Sequence, residues 1–175
     1  MSTFRPLAAL GVLIALAACA SAPMHVTLPP ALALAPGEAP LATLSARGVQ
    51  LYECRAGTAG AAAWAFVAPD AELFELDGRP AGQHGAGPHW LAPDGSRVEA
   101  KVAARADAPL PGAIPWLLLE ARSTGAAGRF DRVTRIRRVH TSGGSAPAAG
   151  CDAAALGKQA RVPYTADYLF HTTAR

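Results

Sequence analysis

Arg97-Val98-Glu99-Ala100-Lys101-Val102-Ala103 swaps polar and apolar residues at every step as far as Val102. Side chains point to opposite faces along a strand, so this stretch predicts a β-strand with one face in water and one on a core. Ile114-Pro115-Trp116-Leu117-Leu118-Leu119 is apolar throughout and predicts a strand covered on both sides. Outward from these two, apolar runs stay short and are broken by Gly, Pro and Asp every 8 to 15 residues or so, the rhythm of strands joined by turns. Further strands are expected at 49–54, 63–68, 72–76, 132–140 and 162–171, with the two quoted stretches extending to 97–104 and 114–121. Asp77-Gly78, Asp94-Gly95 and Gly143-Gly144 supply the positive-φ residues that tight turns need. Arg132 to His140 has no clean period, and a bulge is expected at Arg137-Arg138. No stretch sustains a 3.6-residue period. One short helical turn is expected, around Ala153 to Leu156. The fold class that follows is all-β and mostly antiparallel, a sandwich or barrel with little helix.

The N-terminus carries an address rather than a fold. Arg5 precedes an unbroken apolar run from Leu7 to Ala18, too short for a bilayer span of roughly 20 residues, and residues 1–18 read as a secretory signal. The run ends in Leu16-Ala17-Ala18-Cys19, which resembles the bacterial lipobox. That resemblance implies cleavage before Cys19, acylation of its thiol, and membrane attachment without a transmembrane helix. Ala20 rather than Asp follows the cysteine, so in a Gram-negative host the periplasmic side of the outer membrane is the expected address. Pro23, Pro29, Pro30, Pro36 and Pro40 make residues 19–40 an extended tether, and residues 41–175 suit a single β domain.

The chain has three cysteines. Assigning Cys19 to lipid leaves Cys54 and Cys151, and an oxidising envelope compartment favours their pairing. Arg5 is the one charge removed with residues 1–18, so 16 Lys and Arg against 13 Asp and Glu become a net charge near +2. That balance gives no footprint for a nucleic-acid partner.

Gly48-Val-Gln-Leu-Tyr-Glu-Cys54, Trp64-Ala-Phe-Val-Ala-Pro-Asp-Ala-Glu-Leu73, Gly82-Gln-His-Gly-Ala-Gly-Pro-His-Trp90, Asp94-Gly-Ser-Arg-Val98, Ile114-Pro-Trp-Leu-Leu-Leu119, Arg138-Val-His-Thr-Ser-Gly-Gly-Ser-Ala-Pro147, Cys151 and Val162-Pro-Tyr-Thr-Ala-Asp-Tyr-Leu-Phe170 occur in one order. In that order they resemble the domain of unknown function 3455 family, small secreted proteins of bacteria and fungi. The resemblance covers nearly everything from Leu41 onward. It implies secretion and the two-cysteine frame, and it brings no activity. Some fungal members carry a malate dehydrogenase label, but this chain has no strand-linked Gly-x-Gly-x-x-Gly followed by an acidic residue.

His84-Gly-Ala-Gly-Pro-His89-Trp90 is the stretch with most chemistry. His84 and His89 flank a glycine-rich turn and could join His140, His171 or Asp94 around a metal, but such sites need three or four convergent ligands and only two are close here. As a hydrolase triad, His84, Asp94 and Ser96 lack a nucleophile elbow, and Asp94-Gly-Ser reads as a β-turn. No catalytic residue, metal or other cofactor is therefore assigned. Trp64, Trp90 and Trp116 with Tyr52, Tyr164 and Tyr168 could line a cleft, and a pocket of His84, Trp90, Asp94 and Trp116 is the candidate ligand site. The arginines at 132, 135, 137 and 138 read as a solvated strand face that discourages edge pairing.

The function expected is a non-enzymatic envelope lipoprotein, held to the membrane through Cys19, that binds a small ligand, a cell-wall polymer or an envelope protein. Tyr52-x-Cys54 followed by Gly57 and an alternating strand is similar to the membrane-bound inhibitors of C-type lysozyme, which makes lysozyme inhibition the second expectation. A metal-dependent or redox enzyme using His84 is the third.

Overall fold

A computed structural model of the chain describes residues 27–57 and 60–173. Cys19, the signal segment and the first part of the tether lie outside the described residues. Eight antiparallel strands follow one another around a closed ring: β1 (Glu38–Ala56), β2 (Ala62–Phe74), β3 (Pro80–Gly85), β4 (His89–Leu91), β5 (Arg97–Ala106), β6 (Trp116–Ser123), β7 (Arg135–Gly143) and β8 (Gln159–Thr173). β8 pairs with β1, so no strand is left as an open edge. The all-β expectation is met, and of sandwich and barrel the fold is the barrel. The expected short turn is a 3-10 turn at Ala153–Ala155, with the Asp152 carboxylate accepting from the Ala154 N–H.

β1 begins at Glu38 rather than Val49, so residues 38–40 pair with β8 instead of hanging free. Proline fits there because the ladder shifts register between Pro40 and Ala42, which removes the need for its missing N–H. Such a long strand must coil to close a barrel. At Gly48 an added Cβ would lie 2.2 Å from the Asp70 carbonyl oxygen, so glycine is required where β1 bends onto β2. The stretches 63–68 and 72–76 are one strand, β2. No expected strand covers β3 and β4, because their buried positions hold Ala81, His84 and Trp90 rather than an aliphatic alternation.

The bulge lies not at Arg137-Arg138 but between Val139 and Ser142, where His140 adopts φ 49°. Gly143-Gly144 is not a hairpin turn either. Both residues have positive φ, the Ile114 N–H donates to the Gly143 carbonyl, and the Gly144 carbonyl accepts the Tyr52 hydroxyl at 2.7 Å. A long connection carrying Cys151 and the 3-10 turn then leads to β8. Cys151 is bonded to the buried Cys54, with Cα atoms 5.4 Å apart.

One end of the barrel is plugged. The β6–β7 connection drives Phe130 inside, where it stacks on Phe170 at 4.8 Å among Leu44, Val98 and Ile136. A buried phenylalanine contributes roughly 1.5–3 kcal/mol. The plug is tied by Asp94, whose carboxylate accepts from Ser96 Oγ at 2.6 Å and from the Arg129 N–H at 2.8 Å, and by an Arg129–Glu75 ion pair.

Outside the barrel, Leu32 in the 3-10 turn Pro30–Leu32 is fully buried with Trp116 and Val139, flanked by Leu118 and Leu169. This accounts for the unbroken apolar run in β6. Leu117 and Leu119 face the interior, while Trp116 and Leu118 lie under the incoming N-terminal segment.

Candidate ligand cavity

The end opposite the plug stays open. Its strands carry Gln50, Tyr52, His84, Trp90, Leu117, Leu119, Arg138 and Tyr168, which with Ile114 surround a cavity of about 500 Å³. Phe66, Val67 and Val102 stand exposed at its rim. Eight-stranded barrels have interiors just wide enough to be filled by side chains or to hold one small ligand, and this barrel is filled at one end and leaves a cavity at the other. The volume falls within the roughly 300–1,000 Å³ range of small-molecule sites.

His84 and Trp90 occupy directly opposed positions on β3 and β4 and stack at 4.3 Å. Tyr168 meets both rings edge-on, at 4.9 Å and 5.2 Å. His84 Nδ1 lies 2.8 Å from the His89 carbonyl oxygen. A carbonyl only accepts, so Nδ1 carries the proton and Nε2 keeps its lone pair. Burial pushes the pKa of His84 down to about 3, assisted by the positive field of Arg138. The imidazole is therefore neutral at physiological pH. Burial likewise raises the hydroxyl pKa values of Tyr52, Tyr164 and Tyr168.

Polar atoms in and behind this wall are incompletely bonded. Gln50 Nε2, Trp90 Nε1 and the hydroxyls of Tyr164 and Tyr168 are buried without a well-formed hydrogen bond, although Tyr164 lies close to Gln50 and Tyr168, and Tyr168 close to Arg138. Such groups cost about 1–3 kcal/mol each when nothing satisfies them. Arg138 shares the inward face of β7 with Ile136. Its Nε and Nη2 donate to the Pro115 carbonyl at 3.1 Å and 2.8 Å.

Of the four residues expected to share a pocket, His84 and Trp90 do so. Asp94 is committed to the plug, at the other end of β4. Trp116 lies on the outer surface beneath Leu32, edge-on to His140 at 5.6 Å. The wider aromatic set divides in the same way: Tyr52, Trp90 and Tyr168 line the cavity, whereas Trp64 donates its indole N–H to the Ala149 carbonyl beside the disulfide-bearing connection.

The histidines do not converge. His89 Nδ1 contacts the Ala86 carbonyl, His140 pairs with Asp167 at 2.8 Å, and the buried His171 accepts from Arg137 Nε at 3.2 Å. Among the described residues no three His, Cys, Asp or Glu side chains could hold a metal ion. Ser96 Oγ is engaged by Asp94 and by the Phe130 N–H, so the His84, Asp94 and Ser96 grouping is not a triad.

The arginines read as one solvated face are also separated. Arg132 lies in the plug connection, Arg135 pairs with Glu38 and Glu120 on the outside, Arg137 meets His171, and Arg138 points inward. Arg138 and Gln50 are cavity residues that the sequence reading missed. The available signal was strand parity: Arg138 falls two residues after Ile136, and Gln50 two before Tyr52.

The fold and site define a closed eight-stranded antiparallel β-barrel with one plugged end and one end opening on a small-molecule-sized cavity. By sequence the chain belongs to the family described as a protein of unknown function, DUF3455, whose profile matches residues 35–172. No curated protein and no solved structure matches it.

Proposed function

We propose that this protein is a non-enzymatic ligand-binding barrel of the bacterial cell envelope, holding one small, partly apolar molecule inside its open end. The observation that carries this reading is the pairing of an apolar wall (Ile114, Leu117, Leu119, Trp90) with unsatisfied polar groups directly behind it. Binding sites combine apolar surface with a few orienting polar groups in this way. The side chains weighed as a catalytic set are occupied elsewhere: Asp94 and Ser96 hold the plug, and His84 is a neutral stacking partner. Native mass spectrometry of the mature protein, taken from the envelope of cells that make it from its full gene, tests the reading. One small molecule per chain, released on denaturation, is expected. Only the mass of the bare acylated polypeptide, with no added species at any ligand load, would count against it.

The envelope address rests on Leu16-Ala17-Ala18-Cys19. Acylation there would let the Pro-rich segment hold the barrel at the membrane surface. The expected mature N-terminus is acylated Cys19, and Cys19→Ser should leave the protein in the soluble fraction. An unacylated N-terminus at any other residue would refute the anchor without touching the binding reading.

A further inference from the structure

We infer that the ligand is an amphipathic organic carboxylate whose single negative charge is received by Arg138 while its apolar body lies against Ile114, Leu117, Leu119 and Trp90. This deepens, and rests on, the ligand-binding reading above.

The cavity lining contains two arginines, Arg138 and Arg105, and no Asp or Glu. Among the described residues no carboxylate lies within ion-pair distance of either guanidinium, although Arg97, Arg129, Arg135 and Arg161 all have acidic partners. Arg105 stands exposed at the rim, whereas Arg138 points into the lumen. A cation inside a largely apolar barrel is costly unless it is paired. Arg138 is only partly satisfied: Nε and Nη2 are pinned to the Pro115 carbonyl and the Tyr168 hydroxyl lies beside the guanidinium, but no carboxylate among the described residues balances its charge. The pinning also fixes the direction of the remaining N–H groups, so the donor is oriented before a ligand arrives.

The neighbouring groups select for charge. The His84 ring is neutral and offers an acceptor lone pair, so it adds no second cation. One inward guanidinium with one free edge matches a monoanion. A phosphate monoester would bring about two charges and three strong acceptor oxygens, more than this donor set can satisfy. The aliphatic and aromatic wall excludes a compact hydrophilic anion and calls for an acyl or aromatic body.

Calorimetric titration of the intact protein with four probes of equal chain length, each below its micelle concentration, provides the test: dodecanoate, methyl dodecanoate, dodecyl phosphate and dodecyltrimethylammonium. Dodecanoate is expected to bind at one per chain and at least tenfold more tightly than the other three. Arg138→Gln should weaken dodecanoate at least tenfold, a charge-assisted hydrogen bond being worth about that much, and weaken the methyl ester by less. Equal binding of dodecanoate and its ester, or a carboxylate affinity unchanged in Arg138→Gln, would overturn the charge assignment while leaving the binding reading intact. Tighter binding of dodecyl phosphate would overturn the choice of carboxylate. Failure of all four to bind the wild-type protein would count against the binding reading itself. An unchanged far-ultraviolet circular dichroism spectrum of Arg138→Gln shows that the variant remains folded.

Discussion

His84 and Trp90 face one another across the β3–β4 hairpin with their ring planes 14° apart. The stack needs an uncharged imidazole, and burial supplies it by holding the pKa of His84 near 3. His171, buried on the outer face beside Arg137 and Glu38, is likewise lowered, to about 4, first by burial and then by Arg137.

A pH dependence follows. Both folded-state values lie below the ordinary histidine value of 6.5, so the unfolded chain binds more protons as pH falls below 6.5 and stability is lost in that direction. Asp94 and Glu75 also have lowered pKa values, from hydrogen bonds to Ser96 and Arg129 respectively, but their loss begins near the ordinary carboxylate range. Between about pH 4.5 and 6.5 the histidines therefore dominate. Unfolding free energies from urea titration should be flat from pH 7 to 8 and decline through that window, by about a few kcal/mol in total. His84→Phe, which keeps an aromatic ring on Trp90, should flatten the decline. An identical slope in that variant would show that His84 is not its source.

The plug makes a prediction about Asp94. Asp94→Ala removes acceptors from Ser96 Oγ and the Arg129 N–H and should destabilise the barrel by about 1–3 kcal/mol. Phe130→Ala should cost about 3–5 kcal/mol. Neither change should alter occupancy of the cavity at the other end, measured by ligand titration of the folded variants.

The Cys54–Cys151 bond closes a sequence separation of 97 residues. A loop near that length gives about 4.7 kcal/mol in the chain-entropy model, and measured losses for native bonds run about 2–5 kcal/mol. Replacing both cysteines with serine should lower stability within that range in guanidinium denaturation, whereas a loss under about 1 kcal/mol would place the constraint elsewhere.

Leu32 should matter more than a linker residue does. Leu32→Ala removes the fully buried side chain over Trp116 and should cost about 2–5 kcal/mol. A chain beginning at Glu38 should show a red-shifted Trp116 emission. Unchanged stability and emission would make residues 27–37 a simple tether.

Fold class was legible because β5 and β6 speak plainly: 97–102 alternates, although a register shift after Val102 leaves that side chain exposed, and 114–119 is apolar on both faces. The rest depended on distances in space that no periodicity encodes. β3 and β4 were missed because their inward positions are taken by His84 and Trp90, which pack as core without reading as an aliphatic strand. Leu32 was hidden among prolines that forbid helix and central strand but allow a short 3-10 turn to lie on the barrel. His84 and Trp90 lie together because they pair across one hairpin, a local relationship. Asp94 and Trp116 were misplaced because their positions depend on which end of the barrel, and which side of its wall, each occupies.

The central claim is that the open end of the barrel is a binding site, and methyl-resolved NMR during titration with an envelope lipid and metabolite extract tests it most directly. The methyls of Ile114, Leu117 and Leu119 should shift and saturate, while those of Leu44 and Leu73, buried toward the plugged end, stay in place. Perturbation confined to exposed side chains such as Leu76 and Leu110, with the cavity methyls unmoved, would contradict the account.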